Sequence, residues 1–212
     1  MSLRAQGIVK RFGRRAVLTG ASIELAPGEV VLLMGTNGSG KTTLARILAT
    51  ALHADRGSLT LDGEPVSRRL QAARHAIGFA SHRPLLYLGL TPVENLTFFG
   101  TLSGVPDAGA RARRLLERFG IASFAHTPIE RFSRGMLQRI ALSRALLPEP
   151  RILVLDEPYA GLDDEGTRTL NEVLLETTAR GTAALVISHD RDRVTPLGPR
   201  ACAMRAGKVE AA

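Results

Sequence analysis

The apolar positions of this chain fall into short continuous runs. Val30-Val31-Leu32-Leu33-Met34, Ile77-Gly78-Phe79-Ala80-Ser81, Ile152-Leu153-Val154-Leu155 and Ala183-Ala184-Leu185-Val186-Ile187 are each four or five residues long. Runs of that length read as strands buried on both faces of a parallel sheet. Leu3–Lys10 and Val17–Leu25 read as strands too, with turns at Gly13-Arg14-Arg15 and Pro27-Gly28. They predict a small N-terminal antiparallel β-subdomain within residues 2–34. Ser58–Gly63 predicts one further strand closed by a turn, and residues 201–209 a terminal hairpin. Helices are predicted over Leu44–Leu52, Arg68–Arg74 and Gly166–Ala179. Residues 91–147 differ, because no strand pattern interrupts them. Thr91-Pro92-Val93-Glu94 is a capping box with proline at the first helical position, opening a helix through Phe99. Arg111–Phe119 predicts a second helix, and Ser133 caps a third over Arg134–Leu147. The expected fold is one α/β domain over 1–212, with a helical subdomain inserted at about 85–145.

The first continuous run leads into Gly35-Thr36-Asn37-Gly38-Ser39-Gly40-Lys41-Thr42-Thr43. Strand, glycine-rich loop and helix in that order form the context of a P-loop. Glycines let the backbone curl so that several N–H groups converge on one phosphate chain, and the helix start adds its positive dipole end. Lys41 is expected to reach the β- and γ-phosphates, and the Thr42 hydroxyl to ligand Mg²⁺. The chain is therefore expected to bind a nucleoside triphosphate. Phe12, just before the Gly13 turn, either stacks on the base or packs in the core; spacing does not separate the two.

Composition narrows the remaining classes. Hydrophobic residues make up 44% and charged residues 23% of the 212, which excludes a disordered chain. No apolar run approaches the ~20 residues of a membrane-spanning helix. The N-terminus lacks a secretory pattern, and the single cysteine, Cys202, allows no internal disulfide framework; with the nucleotide site, these point to the cytosol. Net charge is +8, almost all of it from arginine. Aromatics are only 4% and do not interleave with a basic block, so no nucleic-acid partner is expected. The charge reads as scattered surface, with an anionic membrane face as the preferred neighbour.

The carboxyl ends of buried parallel strands are where such folds place ligands. The 152–155 strand ends in Asp156-Glu157 and the 183–187 strand in Ser188-His189. Asp156 is expected to hold Mg²⁺, directly or through water. Glu157 is expected to polarise the water that attacks the γ-phosphate. A histidine at a strand end is often structural; this context favours contact of His189 with the γ-phosphate and that water.

At these residues the chain resembles the ATP-binding subunits of ABC transporters, along nearly its whole length and with motifs in the family's order. Phe12 matches the adenine-stacking position, Gly35–Thr43 the P-loop, Ile152–Glu157 the Mg²⁺-binding strand and catalytic glutamate, Ala160-Gly161-Leu162-Asp163 the D-loop, and His189 the switch histidine. Ser133-Arg134-Gly135-Met136 stands where the family has Ser-Gly-Gly-Gln, followed by Gln138-Arg139. His82 stands where the family usually has the Q-loop glutamine. The resemblance implies the ABC ATPase fold, ATP and Mg²⁺ as ligands, and hydrolysis of ATP. It also implies a head-to-tail homodimer in which Ser133 and Gly135 of one subunit meet the γ-phosphate held by the other. Integral membrane subunits would be the further partners, placing the chain on the inner face of the cell membrane. Arg134 and Met136 depart from the signature but leave its cap and its glycine, so phosphate binding is expected to survive. His82 is a poorer Mg²⁺ ligand than an amide oxygen; it acts through water or serves as a mechanical link. Within the family, His82–Tyr87, Leu90–Leu96, Phe132–Met136 and Asp156–Asp163 are similar to the haem exporter ATPase of cytochrome c maturation. Another small export ATPase, or a soluble ABC protein of DNA repair or translation, are the alternatives.

Overall fold

The computed structural model describes residues 1–212. The chain runs β1 (Leu3–Phe12), β2 (Arg15–Leu25), β3 (Val30–Met34), α1 (Lys41–Leu48), β4 (Arg56–Leu61) and β5 (Glu64–Pro65). It continues through α2 (Leu70–Ala76), β6 (Ile77–Ala80), α3 (Pro92–Leu102), α4 (Ala108–Arg118) and α5 (Arg134–Leu146). It closes with β7 (Ile152–Asp156), α6 (Asp164–Ala179), β8 (Ala183–Ile187), α7 (Arg191–Val194), β9 (Arg200–Arg205) and β10 (Lys208–Ala211).

Two sheets organise these elements. A six-stranded sheet has the order β10-β9-β3-β8-β7-β6 and is parallel except for the β9–β10 hairpin. An antiparallel sheet has the order β2-β1-β4-β5. Alternate residues of the parallel strands serve two cores, as the strand period of two requires. Val31, Leu33, Val154 and Leu185 join Leu3, Ile8 and Leu18 of the antiparallel sheet and Leu44 and Leu48 of α1. Leu32, Leu153, Leu155 and Val186 face Leu142 and Leu146 of α5 and Leu170 and Leu174 of α6. The parallel sheet is thus covered on both faces, which is why its strands are continuously apolar. A third core, with Val93 and Leu96 of α3, Ala112 and Leu116 of α4 and Ile140 of α5, sits to one side.

Several expected boundaries move, each for a local reason. α1 starts at Lys41, since Gly40 takes a left-handed φ of 110° as its N-cap. It ends at Leu48, before the expected Leu52, because Thr50 also turns left-handed and the Ala51 and Leu52 N–H groups both fall back on the Arg46 carbonyl. α3 carries its capping box as expected and runs past Phe99 to Leu102. α4 starts at Ala108 behind a left-handed Asp107, and α6 at Asp164, where the Asp163 carboxylate accepts from Gly166 N–H at 2.8 Å. The stretch 2–34 does not form one β-unit: β3 leaves for the parallel sheet, and β4 and β5 complete the antiparallel one.

The segment between β6 and α3 carries His82 and is tied down from two sides. Asn95 of α3 is fully buried. Its Oδ1 accepts from Tyr87 N–H at 2.8 Å, and its Nδ2 donates to the carbonyls of Tyr87 and Thr91 at 3.0 and 3.1 Å. Arg144 of α5 donates to the Leu85 carbonyl at 2.6 Å and lies over the Phe99 ring at 5.0 Å. Burial lowers the pKa of Arg144 to about 10. Asn95→Ala would leave the Tyr87 N–H without its partner and remove the side-chain donor from the carbonyls of Tyr87 and Thr91, which keep the backbone N–H groups of Leu90 and Asn95. We expect it to cost about 2–4 kcal/mol of stability, read as a lowered urea midpoint with an unchanged m-value.

Candidate nucleotide-binding site

The loop between β3 and α1 turns under β2. A Cβ on Gly40 would come within 2.8 Å of Leu18 Cδ2 and 3.0 Å of the Val17 carbonyl. Only glycine fits there, and that tight fit sets the loop beneath the antiparallel sheet. Lys41 folds back over the loop, its Nζ donating to the carbonyls of Gly35 and Thr36 at 2.7 and 3.0 Å. The Ser39 hydroxyl is buried within the loop without a partner.

A cleft of about 420 Å³ opens beside this loop. Asn37, Gly38, Gly40, Lys41, Thr42 and Thr43 form one wall, Arg15 and Val17 of β2 a second, and His82, Asp156 and Glu157 a third. Six of the nine expected loop residues therefore face one space, together with both carboxylates and His82. Asp156 ends β7 and is only 2% exposed. Its Oδ2 is buried with no hydrogen-bond partner and lies 3.8 Å from His82 Nδ1. A solvent-shielded carboxylate oxygen without a donor, aimed at a phosphate loop and near the Thr42 hydroxyl's wall, fits a divalent cation. Glu157 adopts a left-handed φ of 55°, held by its N–H donating to the Ile187 carbonyl at 2.9 Å. That conformation is costly for a non-glycine residue. It turns Glu157 into the cleft beside Asp156, where an extended strand would send the two side chains to opposite faces. Glu157 Oε2 is 3.0 Å from Nδ1 of the exposed His189 at the end of β8.

Two groups of expected residues lie elsewhere. Phe12 is half exposed, with the Lys10 ammonium 5.7 Å from its ring centroid, and it does not line the cleft. Ser133 and Gly135 also stand outside it. Ser133 is exposed and accepts from Met136 N–H at 3.2 Å, so it caps α5 as expected. A Cβ on Gly135 would collide with the Gly161 carbonyl, so this glycine lets α5 sit directly on the loop after β7.

Sequence reasoning missed the side chains that lock this loop. Gln138 donates to the Pro158 carbonyl at 3.0 Å, and Arg139 pairs with Asp163 at 2.6 Å while also donating to the Phe119 carbonyl. The Arg193 guanidinium donates to the carbonyls of Tyr159 and Leu162 and to the Thr167 hydroxyl. The Tyr159 hydroxyl donates to Asn171 Oδ1 at 2.6 Å, and burial pushes its pKa up. Arg15 was missed as well, because a lone arginine after a turn carries no motif.

Comparison with known proteins agrees with this geometry. The family model for ABC transporters matches residues 18–160. The chain is 34% identical over 210 residues to an uncharacterised ABC transporter ATP-binding protein of Bacillus subtilis, covering 99% of this chain and 68% of the relative. It is 35% identical over 210 residues to a daunorubicin resistance ATP-binding protein of Streptomyces coeruleorubidus, covering 98% and 66%. It is 36% identical over 203 residues to a Nod factor export ATP-binding protein of Paraburkholderia xenovorans, covering 95% and 67%. The chain thus spans about two thirds of the length of these relatives. Among solved structures, the ATP-binding subunit of an ABC transporter superposes with a TM-score of 0.91 at 26% identity, covering 100% of this chain and 89% of that one. An ATP-binding cassette in a dimeric post-hydrolysis state with ADP and Pi superposes with a TM-score of 0.85 at 25% identity, covering 98% and 96%. The fold, the phosphate loop facing Asp156 and Glu157, and these matches agree: the chain belongs to the ATP-binding proteins of ABC transporters.

Proposed function

We propose that this chain is the ATP-hydrolysing subunit of an ABC export system, working as a head-to-tail homodimer on integral membrane subunits. The observation that carries hydrolysis is the convergence of the phosphate loop, Asp156 and Glu157 on one cleft, with Glu157 held by His189. The loop's N–H groups and Lys41 bind the β- and γ-phosphates; Lys41 exchanges its two carbonyl partners for phosphate oxygens. Thr42 and Asp156, with His82 beside them, would hold Mg²⁺, which would supply neutralisation of the charge on the phosphates. Glu157 accepts a proton from the attacking water as the water's oxygen bonds to the γ-phosphorus and the bond to the ADP oxygen breaks. His189 orients the Glu157 carboxylate for that transfer.

The dimer is supported by where the signature stands. Ser133 and the exposed N-terminus of α5 form an anion-binding end that does not line the chain's own cleft, so a second subunit's γ-phosphate suits it. Gly135, Gln138 and Arg139 join that end to the loop following Glu157. Occupancy of the signature is thereby felt where the water is activated. Phe12 would stack on adenine once its ring turns from Lys10.

The membrane partner is supported by an apolar surface beside His82. Leu85, Tyr87, Leu88, Phe98 and Leu102 are all exposed, and Tyr87, Phe98 and Phe99 form one ring cluster with centroids 5.3–5.8 Å apart. No helix is long and apolar enough to cross a membrane, so this surface on the inner face of the cell membrane would carry the coupling. Export is supported by the name of the Nod factor relative above. Haem as cargo rests only on the local sequence patterns at His82–Tyr87, Leu90–Leu96, Phe132–Met136 and Asp156–Asp163.

Glu157→Gln is expected to bind ATP as the unaltered chain does, to accumulate as an ATP-dependent dimer in gel filtration, and to lose hydrolysis by about 10²-fold or more; normal phosphate release would move the base elsewhere. His82→Ala is expected to lower stimulation of the ATPase by the membrane subunits more than it lowers ATP affinity. A collapse of affinity with assembly intact would make His82 a ligand instead of a link. Tagged Glu157→Gln, recovered from gently solubilised host membranes with ATP and Mg²⁺, is expected to bring integral membrane subunits. Haem absorbance or a haem chaperone alongside them would fix the cargo, a different membrane pair would replace it, and ribosomes or DNA would overturn the transport reading.

A further inference from the structure

We propose that Arg15 is a phosphate-binding residue of the nucleotide site, supplied by the antiparallel sheet and not by the P-loop; the proposal rests on the nucleotide-binding reading above. Arg15 opens β2 and pairs with Phe12 across the hairpin turn. It lines the cleft beside Asn37, Gly38 and Lys41. One guanidinium nitrogen lies 3.9 Å from where a Cβ on Gly38 would stand, so the head group rests over the turn of the loop. It has no carboxylate within ion-pair distance. The cations of the facing strand are engaged: Arg11 donates to the Arg14 carbonyl at 3.0 Å, and Lys10 lies 2.7 Å from Asp55.

Charge in the cleft gives this free cation its role. Without Arg15, Lys41 alone would stand against Asp156 and Glu157, and a nucleotide triphosphate would enter a space already carrying more negative than positive side chains. A planar guanidinium matches two phosphate oxygens at once, which an ammonium does not. The same contact bridges the two sheets: the hairpin tip at 12–15 would be fastened to the loop between β3 and α1 through the bound phosphates. Arg15 therefore grips a part of the nucleotide common to all bases, while any contribution from Phe12 depends on the base.

The full chain, its Arg15→Ala variant and its Arg15→Lys variant are titrated with fluorescent ADP and ATP analogues, and with a guanine analogue. Arg15→Ala is expected to bind about tenfold or more weakly, by the same factor for adenine and guanine, with Arg15→Lys in between and the melting temperature unchanged. Hydrogen exchange is expected to show residues 11–17 gaining protection with ADP in the unaltered chain and not in Arg15→Ala. Arg15→Ala binding within twofold of the unaltered chain, with the hairpin protected equally in both, would overturn the proposal. Failure of the unaltered chain to bind any of the nucleotides would overturn the nucleotide reading itself, a result distinct from equal binding by chain and variant.

Discussion

Burial of β7 on both faces is the constraint on which the site depends. Its five residues are all buried, with Leu153 and Leu155 toward α5 and α6 and Ile152 and Val154 toward α1 and the antiparallel sheet. Nothing polar is tolerated along such a strand, so its first carboxylate stands where the strand leaves the sheet. Asp156 accordingly sits at the rim with one oxygen lacking a donor, and Glu157 turns left-handed in the next step. The bond from Glu157 N–H to the Ile187 carbonyl shows that β8 opposes this strain. The cost of an unpaired oxygen and a strained glutamate, about 1–3 kcal/mol each, is borne by the apolar sheet behind them.

The loop after Glu157 is held by side chains from three other elements. α5 contributes Gln138 and Arg139, α6 contributes Asn171, and α7 contributes Arg193. Three of these bonds go to backbone carbonyls, so the neighbours reinforce a path that the loop's own turns begin, with Ala160 N–H donating to the Glu157 carbonyl and Leu162 N–H to the Tyr159 carbonyl. The arrangement makes the signature helix and the Glu157 loop one mechanical piece. The Gly135–Gly161 approach is its tightest point: any side chain there would lift α5 off the loop.

Much of the site was legible in the sequence because its signals are local. A glycine loop between strand and helix, a serine or threonine three residues ahead of the N–H it caps, and carboxylates at the end of an apolar run are each written within a few consecutive residues. The expected Thr91 and Ser133 caps and the four parallel strands follow directly. What was not legible depends on distant pairing. Arg15 reaches the cleft only because β2 lies over the Gly40 turn. The bonds of Asn95 to Tyr87 and of Arg144 to Leu85 join residues that no periodicity connects. The assignment of β3 to one sheet and β4 to the other is likewise set by crossovers that a strand pattern does not encode. Even the end of α1 turns on one left-handed residue, Thr50, of a type that rarely adopts that conformation.

Arg144 shows how the two ends of such a molecule become coupled. A buried guanidinium without a carboxylate is expensive, and its lowered pKa expresses that cost. Two backbone carbonyls and the face of Phe99 offset it, and both carbonyls belong to the path that leads into and out of His82. Phe79 lies on β6 beside β7, and Leu85 lies on the exposed apolar loop. With no carboxylate in reach, the guanidinium ties both points to α5. Under the proposed function, a partner seated on Leu85 and Tyr87 would press on a segment bonded to α5, and α5 is bonded through Gln138 to the Pro158 carbonyl just after Glu157. The tie is built from a cation whose partners are the two segments it joins and the face of Phe99 on α3.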